Sequence, residues 1–292
     1  MTRIVPSLAA ISQPYDALFC DLWGCLHNGV APFAPAVAAL QEYRARGGKV
    51  VLLTNAPRPS RYVIASLDRM GVPKDAYDLV VTSGDAAQDA MFAGAVGQKV
   101  WHLGPSKDDS FFDDIPPEWQ GQAAIERVPF DEAEGIVCTG PFDEITEVPE
   151  DYRPQFLLAK GRGLKMLCAN PDVVVDMGDR RIYCAGALAA LYQDMGGEAL
   201  YFGKPHPPIY DLARRRLAAL GGPRDPNLLA IGDGINTDIA GARGEDIDAL
   251  FVTGGLATGQ FGPDPENPNA ELLNDWLRTR DQAPQYAIGM LR

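Results

Sequence analysis

The sequence predicts an α/β protein: a Rossmann-like parallel-sheet core with an inserted α+β cap domain. Two observations carry this. Short apolar runs that finish in polar residues alternate with helix-patterned stretches, as in the βαβ units of a parallel sheet. That texture breaks off after Ser83-Gly84 and resumes late in the chain. Residues 1–84 and 185–292 are assigned to the core and 85–184 to the insert.

Taken in order, Ala17-Leu18-Phe19-Cys20 is a short strand, with Asp21 placed where the strand gives way to a Gly-containing turn. Pro35 to Arg46 carries Val37, Leu40 and Tyr43 at helical spacing and stops at Gly47-Gly48. Lys49 to Asn55 is the next strand, and Ser60 to Met70 a helix with Val63, Ile64 and Leu67 on one side. Leu79 to Gly84 is again a strand ending in small polar residues.

In the insert, Asp85 to Phe92 reads as helix and Lys99 to Leu103 as strand, followed by an acidic segment from Lys107 to Trp119. Gly135 to Thr139 and Leu164 to Cys168 are strands on either side of a helix around Tyr152 to Lys160. The core pattern returns with a helix from Ala185 to Met195 and a strand from Ala199 to Phe202. A helix with Ile209, Leu212, Leu217 and Leu220 on its buried side follows. Asn227 to Asp233 and Ala249 to Thr253 are strands, Pro263 to Asn269 a loop and Glu271 to Arg278 a last helix. No internal repeat is present.

With 292 residues, 46% of them hydrophobic, the chain can bury a large core. Its net charge of −13 excludes nucleic acid and anionic membrane as partners, since both require a positive footprint. A phosphorylated ligand would have to be held by local cations or a metal. The five cysteines are odd in number and contain no C-x-x-C pair, which fits a reducing cytoplasm and gives no zinc signature. No stretch approaches the length of a membrane span. A cytoplasmic location is the expectation.

Polar groups collect at strand ends: Asp21, Thr54, the Gly203-Lys204-Pro205 turn, and Asp233 with Asp238. In a parallel sheet these ends open into the crevice where ligands bind. Each group alone also fits a structural role, Asp21 as a turn cap, Thr54 as a helix cap and Lys204 as a surface cation. Within Gly232 to Asp238, one carboxylate at the strand end and a second a turn later suit a hard cation such as Mg2+. Lys204 and Thr54 supply a cation and a hydroxyl for phosphoryl oxygens. The set describes phosphoryl transfer to a carboxylate nucleophile. Lys204 is not part of a P-loop, because Pro205 follows it and Glu198 occupies the required glycine position. Nor is Asp233 to Asp238 an EF-hand, because Ile235 fills a ligand position.

Asp21-Leu22-Trp23-Gly24-Cys25-Leu26, Thr54-Asn55, Gly203-Lys204-Pro205 and Gly232-Asp233 to Asp238 resemble, in order, the four motifs of the haloacid dehalogenase superfamily. The short span from Asp21 to Thr54 and the long one from Thr54 to Lys204 place the insert as in the class IIA (NagD-like) branch of phosphatases. Asn170-Pro171-Asp172 is similar to a signature in the caps of that branch. The resemblance implies Asp21 as nucleophile and Thr54 and Lys204 as holders of the phosphoryl group. Magnesium would then be bound by Asp21, Asp233 and the backbone carbonyl of Trp23, with support from Asp238. Asn55, Asn170, Asp172 and His27 are candidate substrate contacts.

One position departs from the pattern. Family phosphatases carry a second Asp two residues after the nucleophile, as general acid and base, and here it is Trp23. His27 is a candidate substitute acid, against the alternative of a turn histidine bonded to the backbone. Cys25 is expected to be a small packing residue. The leading expectation is a magnesium-dependent phosphatase acting on a small phosphorylated metabolite through an aspartyl-phosphate. The alternatives are a non-catalytic phospho-ligand sensor and a dehalogenase-type hydrolase. Pairing through caps, giving a homodimer, is a further implication of the resemblance.

Overall fold

Strands whose residues are buried on both faces build the first sheet, as expected of parallel strands covered by helices. The computed structural model describes residues 1–113, 115–116, 119–121, 124–177 and 180–292. Three positions of the acidic segment from Lys107 to Trp119, namely 114, 117 and 118, lie outside the described residues. The chain divides into two units. The first contains Met1–Thr54, Val63–Val81 and Lys204–Arg292, and the second Asn55–Tyr62 and Thr82–Gly203.

In chain order the first unit opens with β1 (Arg3–Ile4), β2 (Ala17–Cys20), α1 (Ala34–Ala45), β3 (Lys49–Thr54), α2 (Ser60–Met70) and β4 (Leu79–Thr82), the last two also reaching into the second unit. The second unit follows with α3 (Ser83–Phe92), β5 (Lys99–Leu103), α4 (Ser110–Asp113), β6 (Glu126–Arg127) and β7 (Gly135–Cys138). It continues through α5 (Arg153–Gly161), β8 (Lys165–Cys168), β9 (Val174–Met177), β10 (Arg180–Tyr183), α6 (Ala185–Asp194) and β11 (Glu198–Tyr201). The first unit is completed by α7 (Pro207–Ala219), β12 (Leu228–Gly232), a π-helical turn at Ile235–Ile239, α8 (Ala240–Gly244), β13 (Asp248–Val252), α9 (Ala270–Arg278) and β14 (Tyr286–Ile288).

The first sheet runs β1-β14-β13-β12-β2-β3-β4. From β2 the chain moves outward through β3 to β4, and after the second unit it returns on the other side of β2, at β12. The sheet therefore reverses its direction of growth between β2 and β12. Such a switch point leaves a crevice at the carboxyl ends of the two strands. Leu18, Cys20, Val50, Leu52, Leu229 and Ile231 point into one buried core with Leu40 and Tyr43 of α1 and Leu67 of α2.

The second unit has its own sheet, β11-β8-β7-β5-β6, parallel in its pairings, and an antiparallel hairpin of β9 with β10. The expected boundary between residues 184 and 185 falls inside this unit. β11 pairs with β8, and Leu188, Leu191 and Tyr192 of α6 pack with Ile136, Phe156 and Met166 of the second unit's core. Helix α6 and strand β11 have the same βαβ texture as the first unit, so periodicity alone could not tell which sheet they join. The insert is entered at Thr82, whose side chain and that of Asp85 form a capping box at the start of α3.

Tyr43 anchors α1 to the chain entering β2 by donating from its hydroxyl to the Tyr15 carbonyl at 2.8 Å, in a buried setting. Replacing it by Phe strands a buried carbonyl. Tyr43→Phe is expected to lower stability by about 1–2 kcal/mol, seen as a lower urea midpoint with an unchanged slope.

Candidate active site

Register sets the site. Cys20 of β2 is level with Leu52 of β3 on one side and with Ile231 of β12 on the other. The backbone N–H of Asp21 still donates to the Ile231 carbonyl at 2.8 Å. Asp21 therefore emerges one residue beyond the end of β2, flanked by Thr54 at the end of β3 and Asp233 just past β12. Thr54 and Asp233 are buried.

Lys204 is the cation of this crevice. Its buried ammonium donates to Asp21 Oδ1 at 2.7 Å and to Asp238 Oδ1 at 2.6 Å. Burial works against its charge, but the two carboxylates outweigh this and hold its pKa well above the ordinary lysine value. Asp238 is presented by the π turn, which brings its Oδ2 back to accept from the Gly234 N–H at 3.0 Å. Burial pushes the pKa of Asp238 up, opposed by Lys204. Burial raises that of Asp233 as well, reinforced by Asp21 and Asp238.

Asp233 is fixed by its surroundings. Its Oδ2 accepts from the Leu256 N–H at 2.8 Å. A Cβ at either Gly24 or Gly255 would overlap that oxygen. Gly24 also has φ +71°, in the left-handed region that favours glycine. Donor atoms of Asp21, Asp233 and Cys25 lie within 4.8 Å of one another. Two buried carboxylates with facing oxygens, in a cluster where one ammonium serves three carboxylates, fit a hard divalent cation. Asp238 stands outside this close donor set among the described residues, and both of its oxygens are engaged elsewhere.

The chain is similar to known proteins in both sequence and fold. Residues 18–115 match the haloacid dehalogenase-like hydrolase family, and residues 201–277 match the related HAD-hydrolase-like family. The crystal structure of a haloacid dehalogenase-like hydrolase from Brucella suis 1330 is 38% identical, over 99% of this chain and 100% of that one, with a TM-score of 0.82. The chain belongs to the haloacid dehalogenase-like hydrolases.

A D-glycerol 3-phosphate phosphatase of Mycobacterium tuberculosis is 27% identical over 255 residues, 85% of this chain and 66% of that protein. The chain thus spans just under two thirds of the length of that curated relative. The crystal structure of glycerol phosphate phosphatase from Mycobacterium tuberculosis in complex with calcium is 25% identical, over 84% of this chain and 68% of that one, with a TM-score of 0.64.

Within this member of the haloacid dehalogenase-like hydrolases, the loop after Asp21 is built around an aromatic pair. The Leu22 carbonyl accepts from the N–H groups of Leu26 and His27, at 2.8 and 3.0 Å, and Gly24 N–H donates to the His27 carbonyl at 3.0 Å. Trp23 is 53% exposed, and its ring meets the His27 ring edge-on at 5.5 Å. A Cβ at Gly29, where φ is +85°, would overlap the indole.

His27, the candidate substrate contact and stand-in acid, is tied into its own turn. Its side chain is only 3% exposed, and its Nδ1 accepts from the Gly29 N–H at 3.0 Å. That bond ties the ring to the turn, and burial pulls its pKa below the ordinary histidine value.

Asn55, Asn170 and Asp172 form a network within the second unit. Asn55 Nδ2 donates to Asp172 Oδ1 at 2.9 Å, and the Asp172 N–H donates to Asn170 Oδ1 at 3.0 Å. Sequence reasoning missed Gly255 and the Leu256 N–H, because it stopped at the end of the strand formed by Ala249 to Thr253. The paired glycines Gly254-Gly255 were the available signal for a close backbone approach.

The buried ion pairs predict a pH-dependent stability defect. In Lys204→Met two buried carboxylates lose their counter-ion, and at pH 8 the loss is expected to be about 3–5 kcal/mol. Their folded-state pKa values would rise, so the penalty is present above those values and relieved as pH falls through them. Denaturant titrations at pH 8 and pH 5 should show the smaller defect at pH 5.

Proposed function

We propose that this hydrolase is a magnesium-dependent phosphatase that hydrolyses phosphoric monoesters of small metabolites through an aspartyl-phosphate at Asp21. The observation that carries this reading is the Lys204 ammonium held between Asp21 and Asp238, next to Asp233. A carboxylate nucleophile backed by a fixed cation suits attack on an anionic phosphoryl group, where charge neutralisation and positioning supply most of the catalysis. Relatives whose names describe glycerol phosphate phosphatases, one of them in a calcium complex, support both the reaction class and a hard cation.

In this mechanism a carboxylate oxygen of Asp21 attacks phosphorus while the bond from phosphorus to the leaving oxygen breaks. Lys204 and the Thr54 hydroxyl hold the equatorial oxygens. Water then attacks phosphorus, the bond from phosphorus to the Asp21 oxygen breaks to restore the carboxylate, and phosphate leaves with the new oxygen while the proton of the water passes to solvent. Magnesium, held by Asp21, Asp233 and the Trp23 carbonyl with Asp238 behind Lys204, would neutralise phosphoryl charge and align the transferring group. The second unit is read as the cap that selects the substrate.

Trp23 sets the limit on this chemistry. An indole cannot protonate a leaving oxygen, and loss of a positioned acid forfeits about 10²–10⁴ in rate on leaving groups that need one. The substrates that suit the site are therefore phosphate esters with stable leaving anions. The same residue favours a second reading, a phospho-ligand sensor that binds without turnover. A dehalogenase is disfavoured, since that chemistry has no use for a cation site.

The test is phosphate release from aryl, sugar, glycerol and nucleotide phosphates, with and without magnesium. Turnover is expected to require magnesium, to be fastest on the aryl ester and to fall by about 10³-fold or more in Asp21→Asn. Saturable binding without turnover on every substrate would establish the sensor instead. In Trp23→Asp, hydrolysis of alkyl phosphates should rise about 10²-fold relative to the aryl ester. An unchanged ratio would mean that leaving-group protonation is not what Trp23 withholds.

A further inference from the structure

We infer that Cys25 is a third protein donor at the cation site, so that the site also takes thiophilic divalent ions such as zinc and cadmium. The inference rests on the phosphatase reading only in treating Asp21 and Asp233 as cation ligands.

The geometry is local to one loop and the strand end beside it. The turn from Leu22 to His27 doubles back through the bonds of Leu26 and His27 to the Leu22 carbonyl. This brings Cys25 Sγ within 4.8 Å of carboxylate oxygens of both Asp21 and Asp233. Zinc lies about 2.3 Å from a thiolate sulfur and about 2.0–2.2 Å from a carboxylate oxygen, so three donors spread around one ion stand roughly 3.5–4 Å apart. Donors as far apart as 4.8 Å close in by at most about 1 Å to share one ion, a shift that rotation of the three side chains would supply. Cys25 is 1% exposed, and the Asp233 oxygen beside it is walled by Gly24 and Gly255.

Magnesium takes oxygen ligands and ignores a thiol, whereas zinc and cadmium favour sulfur. The same three residues would thus act as an oxygen site for a hard ion and as a mixed oxygen and sulfur site for a soft one. When a soft ion binds, the S–H bond breaks, a sulfur–metal bond forms and the proton passes to buffer, with no change in oxidation state. The nucleophile Asp21 is then a ligand in a tightly held complex. Trace zinc would compete with magnesium for the resting protein.

The test titrates cadmium into the metal-free full chain. One equivalent should produce a thiolate-to-cadmium charge-transfer absorption that is absent from Cys25→Ser and retained in Cys138→Ser. By calorimetry Cys25→Ser should weaken cadmium at least tenfold while changing magnesium affinity less than threefold. Because Cys25 also packs in the core, cadmium NMR of the unaltered protein provides a check that needs no variant: a thiolate-bound ion resonates well apart from an oxygen-only one. Magnesium binding without any thiolate signature would overturn this inference and leave the phosphatase reading standing. Failure of every divalent ion to bind would overturn both.

Discussion

A buried ammonium has to be answered by carboxylates, and the first unit is assembled so that Lys204 can be. Asp21 comes from the end of β2 and Asp238 from the π turn after β12, while Lys204 begins the segment that leads into α7. If any of these segments slips by one residue, a charge is left in the interior without its partner. Replacing such a set with apolar residues of similar volume commonly leaves stability unchanged or raises it. Its presence at the switch point of the sheet is therefore better explained by chemistry than by stability.

The loop that follows Asp21 is adapted as a whole. Trp23 lies over Gly29, whose lack of a side chain leaves room for the indole, and its ring meets His27, which is tied to the same turn. The aromatic residue in place of an acid is thus integrated with two further residues. Gly24 serves another purpose in the same loop, because its missing Cβ gives Asp233 its place. Gly24 and Trp23, neighbours in this loop, have separate packing partners, Asp233 for one and Gly29 with His27 for the other.

Much of this architecture was legible in the sequence. The runs at Ala17–Cys20 and Lys49–Thr54 and the run ending at Gly232 became strands of one sheet because they are mostly apolar and end in polar residues, and three of the four motifs marked their carboxyl ends, while the Gly203-Lys204-Pro205 motif follows a strand of the second sheet. The membership of α6 and β11 was not legible, since their periodicity is that of any βαβ unit and only tertiary pairing assigns them to the second sheet. β1 and β14 are only two and three residues long, too short to carry a pattern. The placement of His27 was hidden for a different reason: an imidazole close in sequence to Asp21 reads the same whether its ring faces the crevice or the turn. The backbone donor at Leu256 carries no side-chain signature at all.

The place of β2 in the sheet also bears on how the chain folds. The strand that delivers Asp21 is flanked on one side by β3, which is near in sequence, and on the other by β12, which pairs Ala17 with Leu228. Closing that contact spans about 200 residues, and the entropy of loop closure rises with length. Nearly all of the second unit is one continuous stretch, Thr82–Gly203, and it can gather its own core before β12 is available. Once it has, the stretch to be closed behaves as a much shorter loop. Were the inserted unit to collapse first, it would shorten the effective loop that the β2–β12 pairing has to close.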